Sequence, residues 1–419
     1  MPDASPPAAV PHLYVHIPFC PTICPFCSFH VLRRGEDLVQ AYLRRIDDEL
    51  ARTAEAWRST GPLDTVYLGG GTPSHLNDDE LGRLVSSIRR RFAVAPDAEW
   101  TLEAHPRNIT PNRPPRWRDL GFNRISVGVQ STQDHVLHAL GRGYDAATAL
   151  GALDAVLAVD GWSVNADLIT VAPGQDVETD LRRLAASGVT HLAAYTLTIE
   201  PGTPFQRRNV TVDEDAQRRA LLSAANILGA AGLQRYEVSN HARPGHRCRH
   251  NLGYWSNRFW YGVGPSATSH LPSETGGTTL LARNPTLDDW LHGAVADVEV
   301  LDRLDQARQM ILTGLRLTQG LDLAHLPGAT PDPADGDSAA TEPARGHPAG
   351  RDSAGEDAVG GDAVGGDAGG RDAVARELGE IIGRIDDLCR EGLLIREGRR
   401  VRATDEALLV LDGVLARLW

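Results

Sequence analysis

No lysine occurs in this chain of 419 residues; all 42 of its basic residues are arginine. That reads as a compositional bias of the source genome and says little about function. No apolar stretch approaches the ~18 to 20 residues needed to cross a bilayer, so no transmembrane segment is expected, and peripheral membrane contact stays open. Residues 1–11 lack the basic and apolar blocks of a signal peptide, which makes the cytoplasm the expected location. No basic stripe suits a phosphate backbone, so nucleic acid is not an expected partner. The cysteines number five, an odd count with three of them packed together, and that is a poor disulfide framework.

What remains is a globular composition, 42% hydrophobic and 23% charged, of a length that suggests two or three domains. The net charge of -13 is uneven. Residues 331–373 hold ten acidic residues against three arginines, so the rest of the chain is only mildly acidic. In the same stretch the only large aliphatic or aromatic side chains are Val359 and Val364. It cannot bury enough apolar surface to offset chain ordering, and residues 328–373 are expected to form a disordered insertion.

Six β-branched or aromatic runs read as strands: residues 13–17, 65–68, 100–103, 124–127, 163–168 and 191–197. Amphipathic helical patterns lie between them, for example Leu81, Leu84, Val85 and Ile88 behind an Asn77 cap and Leu150, Leu153, Val156 and Leu157 behind Asp145. This alternation implies right-handed βαβ units and a parallel sheet, and pattern alone does not choose between a partial barrel and an open doubly wound sheet. After residue 211 a helix over 213–231 and a strand-like 235–238 lead into a loop, 241–270, dense in His, Arg and aromatics. A helical run over 301–315 follows. Residues 374–419 regain periodicity with a helix through Leu378, Ile381, Ile382 and Ile385, a hairpin near 393–401 and a last helix, as in a small winged-helix module. The expected division is a disordered tail (1–11), a core (12–240), a loop and helical extension (241–327), the insertion (328–373) and the C-terminal module (374–419).

Cys20-Pro-Thr-Ile-Cys24-Pro-Phe-Cys27 places three thiols on one loop directly after the first strand. Thiolates at these spacings can hold an iron-sulfur cluster by three corners and leave one iron open to a small molecule. Zinc with His30 as fourth ligand, or unligated thiols, are the alternatives. Gly69-Gly70-Gly71-Thr72-Pro73 after the second strand lets backbone groups approach a ligand closely.

Together these motifs resemble the radical S-adenosylmethionine (SAM) superfamily, in which the open iron of a [4Fe-4S] cluster chelates SAM. The resemblance implies the fold class: α/β, a partial (β/α)6 barrel with a C-terminal α+β, winged-helix-like extension. More closely, the chain is similar to the oxygen-independent coproporphyrinogen III oxidase-like branch. That similarity implies cluster ligation by Cys20, Cys24 and Cys27. It implies SAM contacts at Tyr14, Phe26, Gly70, Gly71, Thr72, Glu103, Gln130, Arg142 and Asp167. Carboxylates there can accept from ribose hydroxyls, and Arg142 can pair with the methionine carboxylate. Two stretches depart from the branch. His105-Pro106 stands where Asn-Pro is usual, and Ile169-Thr170-Val171-Ala172-Pro173 stands in place of a Tyr-Gly-Leu-Pro type run.

Members that decarboxylate coproporphyrinogen III carry a fourth cysteine two residues after the third; here Phe29 stands there. His250-Asn251-Leu252-Gly253-Tyr254-Trp255 resembles instead the His-Asn-x-x-Tyr-Trp motif of the haem chaperone (HemW) subgroup. This implies binding of haem and its transfer to acceptor haem proteins, with an electron donor for the cluster. Oxidase-type radical chemistry on a tetrapyrrole is the alternative. The residues suit haem: His250 as axial ligand, with Asn251, Tyr254 and Trp255 beside it, and Arg243, Arg247, Arg249 and Arg258 as partners for propionates. No Cys-x-x-Cys-His occurs, so covalent attachment is not expected. Cys248 is an alternative thiolate ligand; the blander reading makes the loop's aromatics core packing, His250 a hydrogen-bonded structural histidine and Cys248 an inert small hydrophobe.

Overall fold

The computed structural model describes residues 9–56, 61–273, 277–327 and 368–419. Nearly all of the expected insertion, and residues 1–8 of the expected tail, lie outside them. The tail boundary moves: Val10 is fully buried, and the Pro11 carbonyl accepts from the backbone N–H of Asp64 and Thr65.

All six expected strands form. They are β1 His12–Ile17, β2 Leu63–Gly70, β3 Val94–Ala104, β4 Arg124–Gln130, β5 Ser163–Thr170 and β6 His191–Thr196, and each runs parallel to the next in chain order. Between them lie α1 Glu36–Ala56, α2 Asp78–Arg91, α3 Arg113–Asp119, α4 Ala146–Leu157 and α5 Val177–Ala186, which gives the expected partial (β/α)6 arrangement. Local signals fix several helix starts. Asn77 and Glu80 form a reciprocal capping box on α2, and Asp145 accepts from the Thr148 N–H at the start of α4.

Side chains alternate between the two faces of a strand, and here the alternation separates packing from chemistry. Leu13, Val15, Val66, Leu68, Leu102, Ile125, Val127, Val164, Leu168 and Leu192 join one apolar core beneath the helices. The intervening positions are polar: His12, Tyr14, Thr65, Tyr67, Glu99, Glu103, Ser126, Asn165, Asp167 and His191. Most of them bond to one another across the opposite face, Tyr14 bonds His16, and Glu99 accepts from Cys248 and the Arg249 and His250 N–H groups, so burying them leaves few of their groups unpaired.

The sheet continues past β1. The stretch 241–270, expected as a loop, is instead ordered secondary structure. It holds α7 Arg249–Trp255, which follows α6 Glu214–Ala230, and β7 Trp260–Val263, which pairs in parallel with β1 in the register His12 to Trp260. β8 Thr268–Pro272, β9 Thr279–Arg283 and β10 Asp297–Leu301 then meander antiparallel to the sheet edge. A Trp-Tyr-Gly-Val run is a strand signal, and dense charge on its flanks hid it. The expected strand at 235–238 shrinks to Gln234–Arg235.

A second core forms the C-terminal module, and its bounds differ from expectation. The helix α8 Arg303–Gly314 contributes Ala307 and Ile311 to the same cluster as Leu378, Ile381, Ile385 and Leu388 of α9 Ala368–Arg390. The hairpin of Leu394–Glu397 and Arg400–Ala403 gains Leu321–Asp322 as a third strand. Two short helices, Asp405–Leu408 and Leu411–Leu415, replace the single last helix.

Candidate functional site

At the C-terminal ends of the parallel strands lies a cavity of about 290 Å³. Cys20, Cys24 and Cys27 line it together, and the N–H of Cys27 closes a turn on the Cys24 carbonyl at 3.1 Å. The loop is tied down by the N–H of Phe205, which donates to the Pro25 carbonyl, and by Phe26 packed on the Phe205 ring. Burial pushes the Cys20 thiol up to about 11 and raises Cys27 as well, so free thiolates are disfavoured without a bound cation. One counter-charge is provided: an Arg142 guanidinium N–H donates to Cys24 Sγ at 2.9 Å, and Arg142 Nε donates to the Tyr144 hydroxyl at 3.0 Å.

The glycine run behaves as its composition suggests. Gly70 holds φ at 106°, and a Cβ there would meet the His16 ring at 2.6 Å; a Cβ on Gly71 would meet the Ile17 and Phe19 carbonyls at 2.9 Å. Only glycine lets β2 press this closely against β1. Thr72 follows, its Oγ1 3.4 Å from Cys20 Sγ.

Two carboxylates rise from neighbouring strands. Glu103 on β3 accepts from the Tyr67 hydroxyl at 2.7 Å and from the Gly70 N–H at 3.1 Å. Burial pushes its pKa up to about 7, with Asp167 adding to the rise and the Tyr67 bond opposing it. Asp167 on β5 accepts from Asn165 Nδ2–H at 2.7 Å, and Ser126 Oγ lies 3.1 Å from both its oxygens. Burial raises it to about 6 against those bonds and against the charges of Arg142 and Arg124. At the end of β4 a register shift between Val127 and Gln130 turns Gln130 to a φ of 66°, where its Oε1 accepts from the Tyr195 hydroxyl at 2.7 Å.

Thus the three cysteines, Phe26, Gly70, Gly71, Thr72, Glu103, Gln130, Arg142 and Asp167 are brought to one cavity. Tyr14 is not on it. Sequence reasoning missed Ser126 and Tyr195, which share the polar strand face with Asp167, so period-2 counting along β4 and β6 could have found them. His30, the alternative fourth ligand, is turned away: its Nε2 accepts from the Leu287 N–H at 3.1 Å. Among the described residues no three of His, Cys, Asp and Glu converge on a single-ion position. Thiolates of a cubane sit on separate irons and need no such convergence.

A second cavity, about 710 Å³ and more open, adjoins the first and shares Phe29, Gly70 and Glu103 with it. Its walls include Tyr14, Tyr254, Trp255 and Trp260, with Arg283 at the rim. Phe29 is 68% exposed, a large apolar side chain left facing both spaces. Tyr254 packs edge-on against Trp260 at 4.6 Å, and Arg316 lies 4.5 Å over the Trp255 ring.

The residues expected around haem are distributed differently from the expectation. His250 is 1% exposed and lines neither cavity. Its Nδ1 bonds Thr65 Oγ1 at 2.6 Å, its Nε2 bonds the Tyr254 hydroxyl at 2.9 Å and its ring stacks on Tyr67 at 5.0 Å. As placed, neither nitrogen is open to iron. The motif is helical, so positions four apart share a face, and His250 and Tyr254 meet for that reason. Asn251 also lies off both cavities. The four loop arginines do not gather either. Arg249 pairs with Asp97, Arg258 with Asp64, Arg247 lies over Tyr236 and Arg243 donates to the Val189 carbonyl. The rim cation is Arg283, which sequence reasoning did not single out. Cys248 is buried and bonds Glu99, as the bland reading has it.

The family model described as the Radical SAM superfamily matches residues 14–185. The heme chaperone HemW of Mycobacterium tuberculosis is 36% identical over 342 residues, covering 77% of this chain and 86% of that protein. Its Escherichia coli counterpart is 38% identical over 265 residues, 61% of this chain and 68% of that one. Among solved structures, the Escherichia coli coproporphyrinogen III oxidase HemN superposes with a TM-score of 0.75 at 20% identity, covering 99% of this chain and 91% of that chain, a likeness of fold.

Proposed function

We propose, from the premise that this chain belongs to the heme chaperone HemW family of the radical SAM superfamily, that it binds haem and hands it to acceptor haem proteins. The observation that carries this reading is the second cavity. At about 710 Å³ it falls within the ~300 to 1,000 Å³ typical of small-molecule sites, and its apolar aromatic walls with one cation at the rim match a flat macrocycle with carboxylates on one edge.

The cluster cavity fits the cofactors of the superfamily. Cys20, Cys24 and Cys27 would hold a [4Fe-4S] cluster, and Arg142 would offset the thiolate charge at Cys24. Phe26, Gly70, Gly71, Thr72, Glu103, Gln130, Arg142 and Asp167 would receive SAM. Glu103 and Asp167 would accept from hydroxyl groups, and the glycines would admit the ligand to the backbone edge. When bound, the cluster supplies one-electron chemistry beside the haem space. His105 stays neutral, since burial and then Arg142 press its pKa down to about 3.

The test is anaerobic reconstitution followed by haem titration and transfer to an apo haem protein. One haem per chain and transfer to the acceptor are expected. If the same preparation, given SAM, a reductant and coproporphyrinogen III, instead decarboxylates the porphyrinogen at an enzyme's rate, the reading fails.

A further inference from the structure

We infer that the second cavity holds its porphyrin by the faces and the carboxylate edge, with no protein nitrogen bonded to the iron, so that recognition does not depend on the metal. The inference rests on the haem-binding reading and specifies how that site works.

Two imidazoles line the cavity, and both are committed. His16 Nε2 faces the His30 carbonyl at 3.3 Å, and a carbonyl only accepts, so Nε2 carries the proton. His16 Nδ1 then accepts from the Tyr14 hydroxyl at 3.1 Å. His30 Nε2 accepts from the Leu287 N–H, so in the neutral ring the proton sits on Nδ1, leaving no free lone pair. His250 lies behind the wall with both nitrogens bonded. No cysteine or methionine lines this cavity, and its one carboxylate, Glu103, is anchored by the Tyr67 hydroxyl and the Gly70 N–H at its edge with the cluster cavity. Each nitrogen could reach iron only by giving up a bond it makes now.

The cavity does offer flat surface and charge. Trp255, Trp260, Tyr254 and Phe29 present aromatic faces, and exposed Arg283, opposite Asp297 in the strand register, forms no ion pair within 4.0 Å among the described residues. His250 is a positioning residue. Its bond to the Tyr254 hydroxyl, anchored in turn on Thr65 and through it on His12, fixes the Tyr254 ring against Trp260. A carrier that puts no nitrogen on the iron leaves it open to a recipient's own imidazole.

The experiment uses the full chain and reads quenching of tryptophan fluorescence during titration with haem, metal-free protoporphyrin IX and gallium protoporphyrin IX. Paramagnetic resonance of the ferric complex is recorded alongside. Expected are affinities within about 3-fold of one another, which is under ~1 kcal/mol, and a high-spin ferric signal without nitrogen ligation. Arg283→Glu should weaken all three porphyrins together by about 10-fold or more, as loss of a charge-assisted pair implies, and Arg283→Lys should restore part of it. Metal-free porphyrin binding more than about 30-fold weaker than haem, a gap of ~2 kcal/mol, or a low-spin nitrogen-ligated signal, would overturn the inference and leave the haem-binding reading standing. Failure of all three porphyrins to bind would sink that reading itself.

Discussion

The two adjoining cavities are built on different principles. In the cluster cavity the polar groups are charged or hydrogen-bonded in pairs: Arg142 with Cys24 on two loops, and, on parallel strands, Glu103 with Tyr67 and Gly70 and Asp167 with Asn165 and Ser126. The second cavity is walled by Trp255 and Trp260 from elements outside the six-strand core and carries one cation at its rim. Fixed electrostatics suits a resident cofactor that must stay. Apolar contact suits a cargo that must leave, because dispersion and burial hold a flat ligand without a bond that has to be broken.

The largest effect should come from Cys24→Ala. Iron and sulfide quantitation after reconstitution should show loss of nearly all cluster, while haem affinity stays within about 3-fold, under ~1 kcal/mol. Comparable losses of both would mean the cavities act as one. Next, Arg142→Gln removes a buried cation that bonds a thiol and a phenol. SAM affinity measured by calorimetry should fall about 10- to 100-fold, from the ~1.5 to 3 kcal/mol of a charge-assisted bond, with porphyrin binding unmoved.

A pH experiment sharpens the same contrast. Glu103 in the folded state has its pKa raised to about 7 from 4.5, so folding favours its protonated form. That contribution is present below pH 4.5 and is lost as pH rises toward 7. Buried histidines such as His12 and His16, both pressed to about 4, slope the other way below pH 6.5. The informative quantity is therefore a difference between proteins. Thermal midpoints of Glu103→Gln relative to the parent, in ligand-free protein, should rise progressively between pH 5 and 8, and a flat difference would refute the assignment. The smallest effect concerns Val171, a β-branched residue at a φ of 63° just after β5. Val171→Gly should raise the thermal midpoint by a degree or two, since relief of ~1 to 2 kcal/mol of left-handed strain slightly exceeds glycine's entropic cost of ~0.5 to 1 kcal/mol.

Sequence reasoning read the first cavity far better than the second. Cys20, Cys24, Cys27, Gly70, Thr72, Glu103 and Asp167 each follow or end a strand whose hydrophobic pattern is plain, and parallel pairing brings strand ends together automatically. The second cavity depends on long-range choices that a local pattern does not encode. Trp260 reaches the wall because β7 pairs beside β1, and Arg283 because β9 folds back along β8. His250 was expected at the cavity wall, but its motif is a helix, where one face looks inward and the other outward, and His250 lies on the inward one. Val171 holds a positive φ that a β-branched residue adopts only with strain, a backbone feature no sequence pattern announces.

The C-terminal core joins two separated parts of the chain. Leu323 and Leu326 on one side of residues 328–367, and Leu378 and Ile381 on the other, sit in a single apolar cluster. Replacing Leu378 by a polar residue would therefore loosen the anchorage of Leu323 as well, because one buried cluster answers for both segments.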